Sequence, residues 1–94
     1  MNDSYSVIRP PLAKTYELPS RDDLLDLKPE GLVKVTFQVG KDDPERLWVL
    51  LKECTDIDRW IGITDNDPLQ EVTAKVLPAG SEVVFHPLDI IATE

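Results

Sequence analysis

Between Leu32 and Val39 the chain reads LVKVTFQV, with apolar residues on every second position: Val33, Val35, Phe37 and Val39 alternate with Lys34, Thr36 and Gln38. Successive side chains of an extended strand point to opposite faces, so this pattern demands one buried and one wet face. GKDDPE, from Gly40 to Glu45, is turn chemistry. RLWVLLKEC then places Leu47, Val49 and Leu51 on one face and Trp48 and Leu50 on the other. The two stretches are expected to pair as a hairpin. Apolar residues on both faces of the second strand predict that its middle is covered on both sides, the proline-rich stretch upstream being the available cover.

The rest of the chain is punctuated at short intervals. RWIGIT reads as a third strand, stopped by DNDP, because Asp and Asn bond their own backbone and Pro68 ends the run. Gly62, between Ile61 and Ile63, marks a bulge or a close approach by another backbone. LQEVTAKVL fits a short helix through Leu69, Val72, Val76 and Leu77, and fits a strand through its β-branched content. PAGS turns, EVVFH is a strand with Val83 and Phe85 on one face, and PLDIIATE closes as a turn or a final strand.

Upstream of residue 32 the texture differs, with four of the eight prolines at Pro10, Pro11, Pro19 and Pro29. Proline fixes φ and removes a donor, so this part is expected to run extended or irregular, as an arm whose Val7, Ile8, Leu12, Tyr16 and Leu18 pack along the body or in a partner's groove. SRDDLLDL inside it has Ser20 as a cap and Asp23 three residues on, and predicts a helix of two turns at most, contacting through Leu24, Leu25 and Leu27. The expected organisation is therefore an arm with a short helix over residues 1–31 and a β domain over residues 32–94. Its class is mainly β: a small antiparallel meander curling into a partly open barrel, with one or two short helices.

Ninety-four residues support one domain with one modest core. Eighteen acids against ten bases give a net charge of −8, which repels phosphate backbones and anionic lipid and favours basic partners. Direct nucleic-acid binding is not expected. No stretch approaches the roughly 20 apolar residues that span a bilayer, and the opening residues carry no apolar run of signal-peptide length, so a cytoplasmic protein is expected. Lone Cys54 has no partner for an internal disulfide and is expected to be a buried or half-buried strand residue.

Catalytic constellations are thin. His86 with Asp89 three residues on is half of several arrangements and specific to none; the plainer reading is a surface histidine at a strand end. Asp65, Asn66 and Asp67 resemble the start of a calcium loop, but Pro68 and an early Glu71 replace its glycine and later glutamate, leaving a solvated turn. No cofactor or metal is expected. What remains is an aromatic anchor with a charged rim, formed by Arg59, Trp60, Asp65 and Asp67, as a candidate protein-binding patch. A rival arrangement is a small-ligand or catalytic site where Trp60, Asp65, Asp67 and His86 converge.

VKVTF, ERLWV, NDP and PAGSEVVFHPLDI together are similar to a bacterial family catalogued as domain of unknown function twenty-three fourteen, and more loosely to immunity-protein-like domains of toxin systems. The matching positions are Lys34, Val35 and Phe37; Glu45, Trp48 and Val49; Asn66 and Pro68; Gly80, Glu82, Val83, Phe85, Asp89 and Ile90. Ser81 departs from the pattern, in which the acid follows the glycine directly. The resemblance spans Leu32 to Ile91 and implies a fold without assigning a catalytic residue. Taken together, these readings lead to the expectation of a non-enzymatic interaction protein of a bacterium or phage, binding another protein, with an immunity protein or inhibitor that covers a basic surface as its narrower form.

Overall fold

The computed structural model describes residues 5–10, 19, 21–56 and 59–94. Its elements run β1 (Tyr5–Ile8), α1 (Arg21–Leu25), β2 (Leu32–Val39), β3 (Glu45–Asp56), β4 (Arg59–Thr64), α2 (Glu71–Val76), β5 (Glu82–Phe85) and β6 (Ile90–Thr93), with one 3-10 turn at Pro87–Asp89. All pairings are antiparallel, in the order β1-β2-β3-β4-β5, and β6 also pairs with β2. β1 covers Thr36 to Val39 and β6 covers Val33 to Val35, so the two short strands lie end to end along one side of β2. The protein is mainly β, a six-stranded sheet curled into a half-barrel with two short helices.

The alternation of LVKVTFQV is realised in full: Val33, Val35, Phe37 and Val39 are buried on the concave face, and the residues between them are half-exposed on the convex one. Leu47, Val49 and Leu51 from β3, Trp60 from β4, Val83 and Phe85 from β5 and Ile90 from β6 complete the core. Each large apolar side chain taken out of water here contributes roughly 1.5–3 kcal/mol. The ambiguous stretch resolves as helix α2, which turns buried Thr73 and Leu77 inward.

The curl follows from the register. Val33 faces Val49; from that level Tyr5 lies six residues away in one direction, opposite Val39, and Val84 lies four away in the other, level with Glu53 through Ile61. A stagger of about ten residues across five strands tilts them as in a small barrel and swings the two sheet edges toward each other. They meet where the Val84 N–H donates to Tyr5 Oη at 3.4 Å, while the Tyr5 ring packs edge-on against Phe37 with centroids 5.7 Å apart.

Several expectations need correction. The sheet begins within the stretch read as an arm: Tyr5–Ile8 is a paired edge strand, brief enough to end before Pro10. Leu12, Tyr16, Leu18 and the Ser20 cap lie outside the described residues. Of the three leucines expected to make the contact, Leu24 in α1 and Leu27 just beyond it pack against the core, whereas Leu25 is 74% exposed. Trp48 is half-buried; directly opposite Lys34 in the register, it holds that ammonium 4.7 Å above its ring, and most of the proline-rich stretch expected to cover it lies outside the described residues. Cys54 is exposed, because β3 outruns β2 by several residues and its end pairs with β4 alone.

Gly62 satisfies both readings of its position. The register slips on β3 directly opposite, between Leu51 and Glu53, and a Cβ at Gly62 would collide with Val49 Cγ1 and stand 3.0 Å from the Leu50 carbonyl oxygen. Gly62→Ala is accordingly expected to lower stability by about 1–3 kcal/mol in urea unfolding. Combined with Val49→Ala, which clears the obstructing methyl group, it should cost less than the sum of the two single changes.

Candidate functional site

The acidic turns are structural ties between loops distant in sequence. Helix α2 has no side-chain cap of its own at Gln70, and the first N–H groups of a helix need acceptors. They come from the β2–β3 turn: Asp42 Oδ2 accepts from Thr73 N (2.9 Å) and Thr73 Oγ1 (2.8 Å), and the two Glu45 oxygens accept from Leu69 N and Gln70 N at 2.6 and 3.1 Å. Gln70 reciprocates, accepting from Asp43 N and donating to Asp43 O. Beyond β4, Asn66 Oδ1 accepts from Trp48 N at 2.8 Å and Asp67 Oδ1 from Ala79 N at 3.0 Å. DNDP is thus a solvated turn, with Asp65 and Asp67 exposed, that also clamps two neighbouring segments.

This geometry divides the candidate patch. Arg59 and Trp60 open β4, while Asp65 and Asp67 lie beyond its other end. Six residues of strand, from Arg59 to Asp65, span about 20 Å. Trp60 is only 6% exposed and sits in the core; its inward-facing position, opposite Phe85, leaves it little ring to offer as a projecting anchor. The four-residue rival site is divided in the same way, with Trp60 and His86 at one end and the two acids at the other. Among the described residues, no group of three or more His, Cys, Asp or Glu side chains is placed to hold a metal ion.

What Trp60 and His86 do share is a groove of about 580 Å³ at the open end of the half-barrel. Leu24 and Leu25 of α1 with Leu27 just beyond it form one wall, Pro87 and Leu88 of the 3-10 turn form another, and Trp60 with Cys54, its direct cross-strand partner, closes the floor. Leu25 and Leu88 are exposed, at 74% and 51%. Sequence reasoning placed these two leucines in a helix contact and in a closing turn; nothing local in the sequence says that one groove lies between them.

The 3-10 turn is held firmly. The His86 N–H donates to Asp89 Oδ2 and the Leu88 N–H to His86 Nδ1, both at 2.9 Å, a reciprocal capping arrangement. Buried Asp89 also pairs with Arg9, Nε to Oδ1 at 2.9 Å, which ties the chain after β1 to the start of β6. With Nδ1 accepting, a neutral His86 carries its proton on Nε2. Cys54 Sγ donates to the Asp56 carbonyl. Both groups in the groove that are capable of chemistry are therefore engaged with nearby backbone.

The fold and groove define a mainly β half-barrel with an apolar recess at one end. No family model, curated protein or solved structure matches the chain. No helix among the described residues is long and apolar enough to cross a membrane. Most positions behind the family resemblance noted above are framework in this fold: Val35, Phe37, Val49, Val83, Phe85 and Ile90 are core, and Glu45, Asn66 and Asp89 tie loops.

If the acids divide as described, Asp42→Ala should cost about 1–3 kcal/mol by leaving two partly buried donors of Thr73 unpaired. Asp65→Ala should stay within about 0.5 kcal/mol, as expected for a surface change without such a role. Paired urea titrations measure both.

Proposed function

We propose that this chain is a non-enzymatic, cytoplasmic protein-binding module, and that the groove between α1 and the 3-10 turn receives an apolar side chain of a basic partner protein. The observation that carries the reading is the pair of exposed leucines, Leu25 and Leu88, over an apolar recess floored by Trp60. Exposed apolar side chains around a concave apolar floor have the anatomy of an interface centre, where a desolvated anchor supplies most of the affinity. The exposed acids Asp22, on α1, and Asp26, just beyond it, flank the Leu24 to Leu27 wall in the chain. With the net charge of −8 they favour a partner with Lys or Arg around its anchor, and they speed its approach. An immunity protein or inhibitor of bacterial or phage origin, covering a basic toxin or effector surface, is the narrower form of the same reading.

A small apolar ligand is the second reading, favoured by the groove's volume of about 580 Å³, which falls within the usual range for ligand pockets. The test uses the tagged chain as bait in its native cell, with Leu25→Asp and Leu88→Asp variants beside it at low and high salt. Both positions are exposed, so the variants should unfold at the wild-type urea midpoint. One stoichiometric basic protein retained by the wild type, lost from both variants and weakened by salt is the expected result. A partner retained equally by all three baits would exclude the groove. A clean wild-type bait, together with a small apolar fluorophore that binds the wild type and not Leu88→Asp, would establish the ligand reading.

A further inference from the structure

The convex face of the sheet differs in kind from the rest of the molecule. Register and burial place Leu32, Lys34, Thr36 and Gln38 of β2 there, beside Arg46, Trp48 and Leu50 of β3, Ile61 and Ile63 of β4, Val84 of β5 and Ala92 of β6. In a chain with eighteen acids, the acids that the register places on this face among the described residues lie at its margins: Glu53 and Glu82 face Ile61 and Ile63, Asp56 faces Arg59, and Glu94 follows β6 beside Leu32. The pairs from Leu32–Leu50 to Thr36–Arg46 between β2 and β3 include none. They include two cations, Lys34 and Arg46, which are diagonal neighbours because Lys34 faces Trp48 and Thr36 faces Arg46. Neither is in an ion pair among the described residues, where the pairs are Arg9 with Asp89 and Lys52 with Glu30.

Diagonal neighbours on a sheet stand about 7–8 Å apart and still interact, so two like charges there work against the fold. The arrangement becomes favourable once an anion lies between them. A recess of about 240 Å³ occupies that place, lined by Lys34 and Arg46 with Ile91 and Ala92 as its apolar side. Lys34 is held in position above the Trp48 ring, and Trp48 and Leu50 continue the apolar surface from the cleft along β3.

We propose that this face is a second contact surface, for an acidic protein segment: a glutamate or aspartate carboxylate enters between Lys34 and Arg46, its stem lies on Ile91 and Ala92, and a neighbouring apolar side chain covers Trp48 and Leu50. Charge complementarity selects the occupant. A second copy of this chain would set its Lys34 and Arg46 against the same pair in a two-fold contact, and a nucleic acid meets the repulsion of a net −8. The surface is separate from the groove and takes the opposite charge, so the protein would join a basic partner to an acidic one.

The experiment is an amide NMR titration of the full chain at low salt with an end-blocked hexapeptide of alternating glutamate and leucine, using a glutamine-for-glutamate peptide and inorganic phosphate as controls. Saturable shifts confined to the neighbourhood of Lys34, Arg46, Trp48 and Ala92 are expected, at least tenfold weaker in exposed-site Arg46→Glu and largely retained in Arg46→Lys. No saturable shift, equal binding of the glutamine peptide, indifference to Arg46→Glu, or shifts centred on Leu25 and Leu88 would overturn the proposal. Saturation by phosphate in the same concentration range would also overturn it, in favour of a free oxyanion.

Discussion

A sheet with one apolar face has to hide it, and the described residues form one six-stranded sheet with no second sheet laid against it. The solution is curvature: the staggered register turns the sheet around its own side chains until Phe37, Val49 and Val83 face into a common core. Everything else depends on keeping that curl. Tyr5 bridges the two edges, Arg9 and Asp89 hold the junction where β6 takes over from β1, and Gly62 lets β3 and β4 approach closely beside a bulge. A half-barrel closed this way keeps one end open, and the apolar recess lies there, between α1 and the 3-10 turn.

The strong negative charge takes on a different meaning once the loops are traced. Asp42, Glu45, Asp67 and Asp89 each accept at least one backbone N–H from a turn or a helix start. A carboxylate bonded to N–H groups makes a stronger tie than a neutral acceptor, which suits a protein whose helices are too short to be stable by themselves. Part of the acidity is thus a fastening between turns.

The alternation from Leu32 to Val39, the turn at Gly40 to Glu45 and the inward Val83 and Phe85 were legible because period two and turn chemistry are local properties. The roles of Asp42 and Asp67 were not, since their partners Thr73 and Ala79 lie 31 and 12 residues away. Cys54 misled because its exposure depends on how far β3 outruns its neighbour, which is a relation between strands. β1 was obscured by its length of four residues and by the adjacent prolines. Of the candidate patch, Trp60 lines the groove and Arg59 precedes it on β4, whereas the acids grouped with them lie beyond the other end of that strand. The leucines that flank the groove are ordinary hydrophobic residues in sequence and acquire meaning only from their exposure.

The central claim, that contact is made through the apolar recess while the acids of the Asp65 to Gln70 segment serve as framework, is tested most directly by hydrogen exchange on the chain alone and in complex with its captured partner. The account predicts added protection at Leu24 to Leu27 and His86 to Leu88, with Asp65 to Gln70 unchanged. Protection concentrated at Asp65 to Gln70, with the groove exchanging as in the free chain, would contradict it.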